Sequence, residues 1–440
     1  MVNSWRLSRF VQATVLVAFV SIISFAQTFG DFERQRGEQM LQGVLSDVKS
    51  KYYDAGFRGI DLEARAKVAS DQIKKSTSNG QVLGIIAQFL IELKDSHTRF
   101  VPPSRASKTE YGWTVEMIGN GAFVTSVKPG SDAEAKGLKI GDQVLAIDGT
   151  GISRENLWVM KYLYYALRPQ PGMRVTITRP GSTKQEDLIV LAKVTQKKRV
   201  LDLTTGTDIF DLIREDENED RLNRHRYLSL GDNVMIWKMP QFDLTESQVD
   251  DMMDKVRKHE SLILDLRGNP GGAILTLNRL VGNLFDRDIN IAEWKGRKKF
   301  DPQVGKTRGK SAFMGKLVVL IDSESGSCAE IFSRVVQLEK RGTVLGDVSS
   351  GKVMISRYHP RQIGVNTVIF YGSSITIADL IMADGKSLEN VGVTPDKYLI
   401  PTQKALAESL DPVLSYAAGL VGKDLDPAAA GKMFPIEWGK

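Results

Sequence analysis

The spacing of apolar residues changes along this chain, and each change marks a different kind of structure. Met40, Leu41, Val44, Leu45, Val48 and Tyr52 recur at helical spacing. Leu83, Ile86, Phe89, Leu90 and Leu93 repeat that pattern until Lys94-Asp95-Ser96-His97-Thr98 stops it, ahead of Pro102-Pro103. Residues 27–107 therefore read as a helical N-terminal region. Between about Lys108 and Val194 the signal becomes short strands with Gly-marked turns. The run Ile213–Arg226 is dense in charge and reads as a solvated linker. Beyond it strands and helices alternate: Val234–Met239, Glu246–His259, Ser261–Leu266, Ala273–Phe285, Leu317–Ile321, Ala329–Glu339 and Thr343–Leu345. That alternation predicts an α/β layer with mainly parallel strands.

At 440 residues the chain is too long for one ordinary core, so two or three domains are expected. Hydrophobic content of 42% and charge of 25% describe ordinary globular protein, with no disordered or membrane-embedded bias. The net charge of +6 is small for this length, forms no basic stripe and comes with no recognisable nucleic-acid-binding motif, so nucleic acid is not an expected partner. Arg6 and Arg9 precede an apolar run from Phe10 to Phe25, and Ser24-Phe25-Ala26 supplies small residues for cleavage. Residues 1–26 thus read as a signal peptide, with export to the periplasm or the medium. An uncleaved anchor is the alternative, and the only expected contact with a membrane. Cys328 is the single cysteine, so no internal disulfide is available. His97, His225, His259 and His359 are scattered without paired-ligand spacing, so no metal site is expected.

Two segments carry the chemistry. Ser261–Gly272 (SLILDLRGNPGG) is an apolar run that ends in a Gly-rich turn. Ile321–Phe332 (IDSESGSCAEIF) leads from a second apolar run through small and hydroxyl residues into an amphipathic helix. Buried strands with such ends place a serine and backbone N–H groups on one face of a cleft, as acyl transfer requires. Gly271 or Gly272, together with Cys328, would supply the oxyanion donors, glycine allowing close backbone approach. A cysteine nucleophile at Cys328 is the rival reading.

The segment Phe123–Ile152 (FVTSVKPGSDAEAKGLKIGDQVLAIDGTGI) closely resembles a PDZ domain, which the organisation of the chain places at residues 108–195. PDZ domains bind peptide C-termini by adding a strand to a sheet edge, with a loop of N–H groups on the terminal carboxylate. By order along the chain that loop is Tyr111-Gly112-Trp113-Thr114, although Trp113 and Thr114 stand where a Gly and an apolar residue are usual.

Val234–Asp396 resembles the tail-specific, or C-terminal processing, serine proteases of S41 type. Ser325-Gly326-Ser327-Cys328-Ala329-Glu330 aligns with the family's nucleophile segment, which implies Ser327 as nucleophile. One branch implies Lys352 as general base, within Ser350-Gly351-Lys352-Val353; Ser350, Val353, Ser356 and Leu338 depart from that branch. Another branch, resembling the tricorn core protease, implies His97 as base with Glu389 assisting. The choice between the two bases stays open here.

The resemblance implies a multidomain α/β fold: a helical N-terminal region, a small β-rich PDZ domain with helices, and a ClpP/crotonase-like protease core. The core is expected at residues 196–405, with a C-terminal extension at 406–440. It implies a serine endopeptidase that needs no cofactor and cuts unfolded or tagged polypeptides, docking their apolar C-termini on the PDZ domain. Assembly into a homo-oligomer is compatible with this reading. The competing expectation is a catalytically inactive peptide-binding module on a protease-like scaffold.

Overall fold

The computed structural model describes residues 29–105, 107–196, 225–365 and 367–436. The leader and nearly all of the charged linker lie outside the described residues. Three helices open the described chain: α1 (Asp31–Lys51), α2 (Leu62–Lys74) and α3 (Asn79–Ile91). Leu41, Val44 and Val48 of α1 close a core with Ile73 of α2 and Ile86 and Leu90 of α3. Ser78 caps α3 by accepting from Gln81 N–H. The sequence pattern marks α1 and α3. It passes over α2, whose buried stripe includes two alanines, Ala66 and Ala69. A short strand, β1 (Arg99–Val101), follows the Lys94–Thr98 turn.

A second unit contains β2 (Trp113–Ile118), β3 (Gly121–Val127), β4 (Gln143–Ile147), α4 (Leu157–Tyr162), β5 (Gly172–Thr178) and β6 (Gln185–Leu191). Its strands pair antiparallel in the order β2-β3-β4-β5-β6. Trp113, Val115 and Met117 alternate inward along β2, the period expected of a half-buried strand. Among the described residues β2 pairs with β3 alone, so its other edge keeps unpaired backbone groups.

The third unit is built on two sheets. In the first, β7 (Arg226–Leu230) runs antiparallel to β8 (Val234–Lys238). Then β8, β9 (Ser261–Asp265), β12 (Lys316–Ile321), β13 (Thr343–Gly346) and β16 (Lys397–Tyr398) pair in parallel. Every residue of β9 is buried, because both faces of the sheet are covered. Leu262 and Leu264 face helices α5 (Glu246–Val256), α6 (Ile274–Leu284) and α7 (Cys328–Leu338). Ile263, Val318 and Leu320 face the opposite way, onto Val413, Leu414 and Ala417 of α8 (Pro412–Leu420). Residues from the expected C-terminal extension therefore help to cover this sheet.

The second sheet is antiparallel, in the order β1-β15-β10-β11, where β10 is Ile289–Lys295, β11 is Gln303–Gly305 and β15 is Ile369–Met382. A further strand, β14 (Met354–Ile363), also pairs with β15. This long β14–β15 hairpin is absent from the alternating pattern expected for the core. Its role is positional: β1 pairs with β15 through Arg99–Ser374 and Phe100–Ser373, which fastens the helical region to the core.

Candidate active site

Ser327 sits between β12 and α7, half-buried, with φ of 51° and ψ of −118°. A positive φ at a residue with a Cβ stores roughly 1–3 kcal/mol of strain, which surrounding bonds must offset. The Ser327 N–H donates to Lys352 O at 3.0 Å and to Glu330 Oε2 at 3.0 Å. Glu330, one turn into α7, is fully buried, and burial raises its pKa. It also accepts from Ser349 Oγ at 2.6 Å, Gly351 N–H at 2.7 Å and Lys352 N–H at 2.9 Å. One carboxylate thus fixes the serine elbow and the segment 349–352 together.

The facing wall is the turn after β9. Asn269, also fully buried, donates to Met239 O and accepts from Gly271 N–H, both at 2.8 Å. Gly326 N–H donates to Asn269 O at 2.8 Å, so the two turns are laced together. Gly271 has φ of 102°, and a Cβ there would lie 2.5 Å from Ser327 Cβ. The turn therefore touches the serine itself. The Gly271 N–H is taken up by Asn269, whereas Gly272 and Cys328 N–H donate to no oxygen among the described residues. Of the expected oxyanion donors, these two are the ones left available. The Cys328 thiol is buried, contacts Gly272 O at 3.2 Å, and is pushed up to about 12 by that burial. This environment suppresses the thiolate that a cysteine nucleophile needs.

His97 lies in the turn between α3 and β1. Its Nδ1 is 2.7 Å from Ser96 Oγ, which donates to Glu389 Oε2 at 2.8 Å. Ser96 N–H donates to Glu389 Oε1 at 2.7 Å, and Val353 N–H to Oε2 at 2.9 Å. With Ser96 Oγ–H spent on Glu389, the hydroxyl accepts from Nδ1–H, and Nε2 is left with a lone pair. Burial pushes His97 down to about 4, helped by Arg99 and Lys352 and opposed by Asp95. Burial pushes Glu389 up to about 7, against the three hydrogen bonds it accepts.

Consecutive residues join the two halves: Lys352 bonds to Ser327 and Val353 to Glu389. The Lys352 side chain goes elsewhere, its Nζ lying 5.8 Å from the ring centre of Trp158 in α4. Its pKa is lowered by burial. Among the described residues no hydrogen bond joins Ser327 Oγ to His97 or to Lys352 Nζ. The sequence gives no sign that Ser96 bridges His97 and Glu389. The adjacency Ser96-His97 is all it offers, and nothing there says that the hydroxyl points back to the imidazole.

The expected peptide-binding residues stand apart from Ser327. Trp113, Thr114 and Val115 line an apolar groove of about 290 Å³ with Leu157, Met160, Tyr164 and Tyr165, between the open edge of β2 and α4. Tyr111 is buried, its hydroxyl accepting from Gln170 N–H at 3.0 Å, and Gly112 turns the chain with φ of 74°. The second unit also grips the serine loop: Ser323 Oγ donates to Met117 O at 2.6 Å, and Lys161 pairs with Glu324 at 2.9 Å.

A serine at a strand-to-helix elbow facing a glycine turn is an arrangement suited to acyl transfer. Comparison with known proteins gives the family. Residues 233–399 match the sequence model of peptidase family S41, and residues 110–190 match that of the PDZ domain. Residues 233–399 are thus an S41-type peptidase region beside a PDZ region at 110–190, and the chain is a serine-type peptidase. It is 23% identical over 402 residues to the chloroplastic C-terminal processing peptidase of Tetradesmus obliquus, covering 87% of this chain and 80% of that one. It is 26% identical over 381 residues to the carboxy-terminal-processing protease of Bartonella bacilliformis, covering 81% and 78%. The fold is shared with mature CPAF, at a TM-score of 0.64 and 16% identity over 86% of this chain and 94% of that one. It is also shared with the photosystem II D1 C-terminal processing protease, at 0.51 and 19% identity over 89% and 99%. Among the described residues no helix is long and apolar enough to cross a membrane.

Proposed function

We propose that this serine-type peptidase is an exported endopeptidase that cuts unfolded or C-terminally tagged polypeptides, with Ser327 as nucleophile and His97 as general base. The observation that carries this reading is the hydrogen-bonded chain from Glu389 through Ser96 Oγ to His97 Nδ1. In it Nε2 takes the Ser327 proton as Oγ attacks the scissile carbonyl, and later returns it to the leaving amine. Gly272 and Cys328 N–H hold the developing oxyanion, and the N-terminus of α7 favours its charge. A substrate C-terminus adds a strand to the open edge of β2, with an apolar side chain in the groove beside Trp113.

Lys352 as the base is the second reading, favoured by the burial that lowers its pKa. Cleavage of an unfolded protein with an apolar C-terminus tests both. Ser327→Ala and His97→Ala are expected to abolish turnover, while Lys352→Ala retains it. Loss in Lys352→Ala with retention in His97→Ala reverses the assignment of the base. An inert wild type that still binds C-terminal peptides points instead to a binding module.

A further inference from the structure

His97 has an unusual partner on Nδ1. The first atom it meets is a neutral hydroxyl, Ser96 Oγ, and the Glu389 carboxylate stands one residue further away. When the imidazole takes a proton during acyl transfer, its positive charge has no carboxylate in direct contact on that side. The charged groups acting on His97 are Asp95 on its own turn, Arg99 of β1 and Lys352 from the segment before β14. Glu389 reaches it through Ser96 from the loop after β15. Two of these are cations, and burial works against the charge on Glu389.

Asp95 is 4% exposed and bound from several sides. Its Oδ1 accepts from His97 N–H at 3.0 Å, from Thr98 N–H at 2.7 Å and from Thr376 Oγ1 at 2.6 Å. Thr376 belongs to β15, and its own N–H donates to Thr98 Oγ1 at 3.1 Å. The carboxylate therefore shapes the turn and pins it to the sheet that carries β14 and leads on to Glu389. Its other oxygen, Oδ2, is buried beside the Tyr52 hydroxyl without a hydrogen bond.

We propose that Asp95 is the positioning residue for His97: its carboxylate registers the imidazole against the core and supplies the charge that stabilises the imidazolium. This rests on His97 being the base. A residue that only shapes the turn needs acceptor atoms, whereas one that stabilises the imidazolium needs charge. Asp95→Asn separates the two roles. It keeps an Oδ1 acceptor for all three donors, offers Tyr52 an N–H where Oδ2 stood, and removes the charge.

The experiment compares wild type, Asp95→Asn and Asp95→Ala in kcat and in the pH profile of kcat/KM, with thermal unfolding as a control for folding. Asp95→Asn is expected to lower kcat about tenfold or more while unfolding close to wild type. The charge of Asp95 raises the pKa of both His97 and Glu389. Its removal therefore shifts the acid limb to lower pH, whichever group sets it, by about one unit. The His97 ring pKa, followed by NMR in Ser327→Ala with and without Asp95→Asn, is expected to fall likewise. An unchanged kcat, or a lower kcat with an unmoved limb and ring pKa, overturns the proposal and leaves Asp95 a turn former. A failure of the base assignment would look different, since His97→Ala would then retain turnover.

Discussion

Glu330 and Glu389 stand on either side of the Lys352–Val353 link, and the chemistry around them is alike. Each is mostly withdrawn from water, each has its pKa raised by burial, and each gathers N–H and hydroxyl donors. The difference lies in what those donors lead to. Around Glu330 they are Ser327, Gly351 and Lys352 N–H and the Ser349 hydroxyl, so the carboxylate ends a network that shapes backbone. Around Glu389 one donor is the Ser96 hydroxyl, whose other neighbour is an imidazole, so the carboxylate begins a path along which charge can respond. Burial and a shifted pKa do not by themselves mark a catalytic carboxylate. The next atom along the network decides.

The comparison is broken most sharply by truncation. Glu330→Ala leaves several buried donors without an acceptor and is expected to cost about 3 kcal/mol or more of stability, together with all activity. Chemical denaturation and a peptidase assay read both losses. Gly271→Ala is expected to remove activity at a smaller cost to the fold, because its Cβ would strike Ser327 Cβ at 2.5 Å. Glu389→Gln is expected to lower kcat about 100-fold with a much smaller loss of stability than at Glu330.

The pH dependence sharpens the contrast further. Glu389 accepts the Ser96 proton as a carboxylate, so activity should fall as pH drops through about 7. Stability should move the other way. A carboxyl held at about 7 when folded, against an ordinary value of 4.5, takes up a proton on folding. Its contribution is then full below about 4.5 and lost as pH rises through 7. Melting temperatures of wild type and Glu389→Gln across this range isolate that share. The smallest effect is expected at Cys328, whose buried thiol contacts Gly272 O: Cys328→Ala should keep activity within about twofold, and thiol alkylation of the native enzyme should not inactivate it.

Much of this architecture is legible in the chain, and the gaps have physical reasons. Leu262–Leu264 and Leu317–Ile321 announce buried parallel strands because a sheet covered on both faces leaves no polar alternation. Gly271 and Ser327 stand out as a glycine turn and a serine ahead of an amphipathic helix. What stays hidden is direction. A sequence does not reveal that Asn269 takes up the Gly271 N–H, that Lys352 turns its amine toward Trp158, or that Ser96 faces both His97 and Glu389. The β14–β15 hairpin was also hidden, since its strand Met354–Ile363 is half exposed and carries Arg357, His359, Pro360 and Arg361 in place of an apolar run. These features depend on contacts between residues far apart in the chain, to which local periodicity is blind.

The distribution of the proposed reacting groups along the chain has a consequence for timing. The imidazole is encoded early at residue 97, the hydroxyl late at 327, and the carboxylate later still at 389. A polypeptide emerging from the ribosome therefore holds a complete set of parts only when nearly all of it has been made. Any fragment ending before Glu389 carries the proposed base, His97, with a hydrogen-bond relay that has no terminus. On the proposed assignment, synthesis order itself would delay proteolytic competence, and fragments that stop before Glu389 are expected to be inactive.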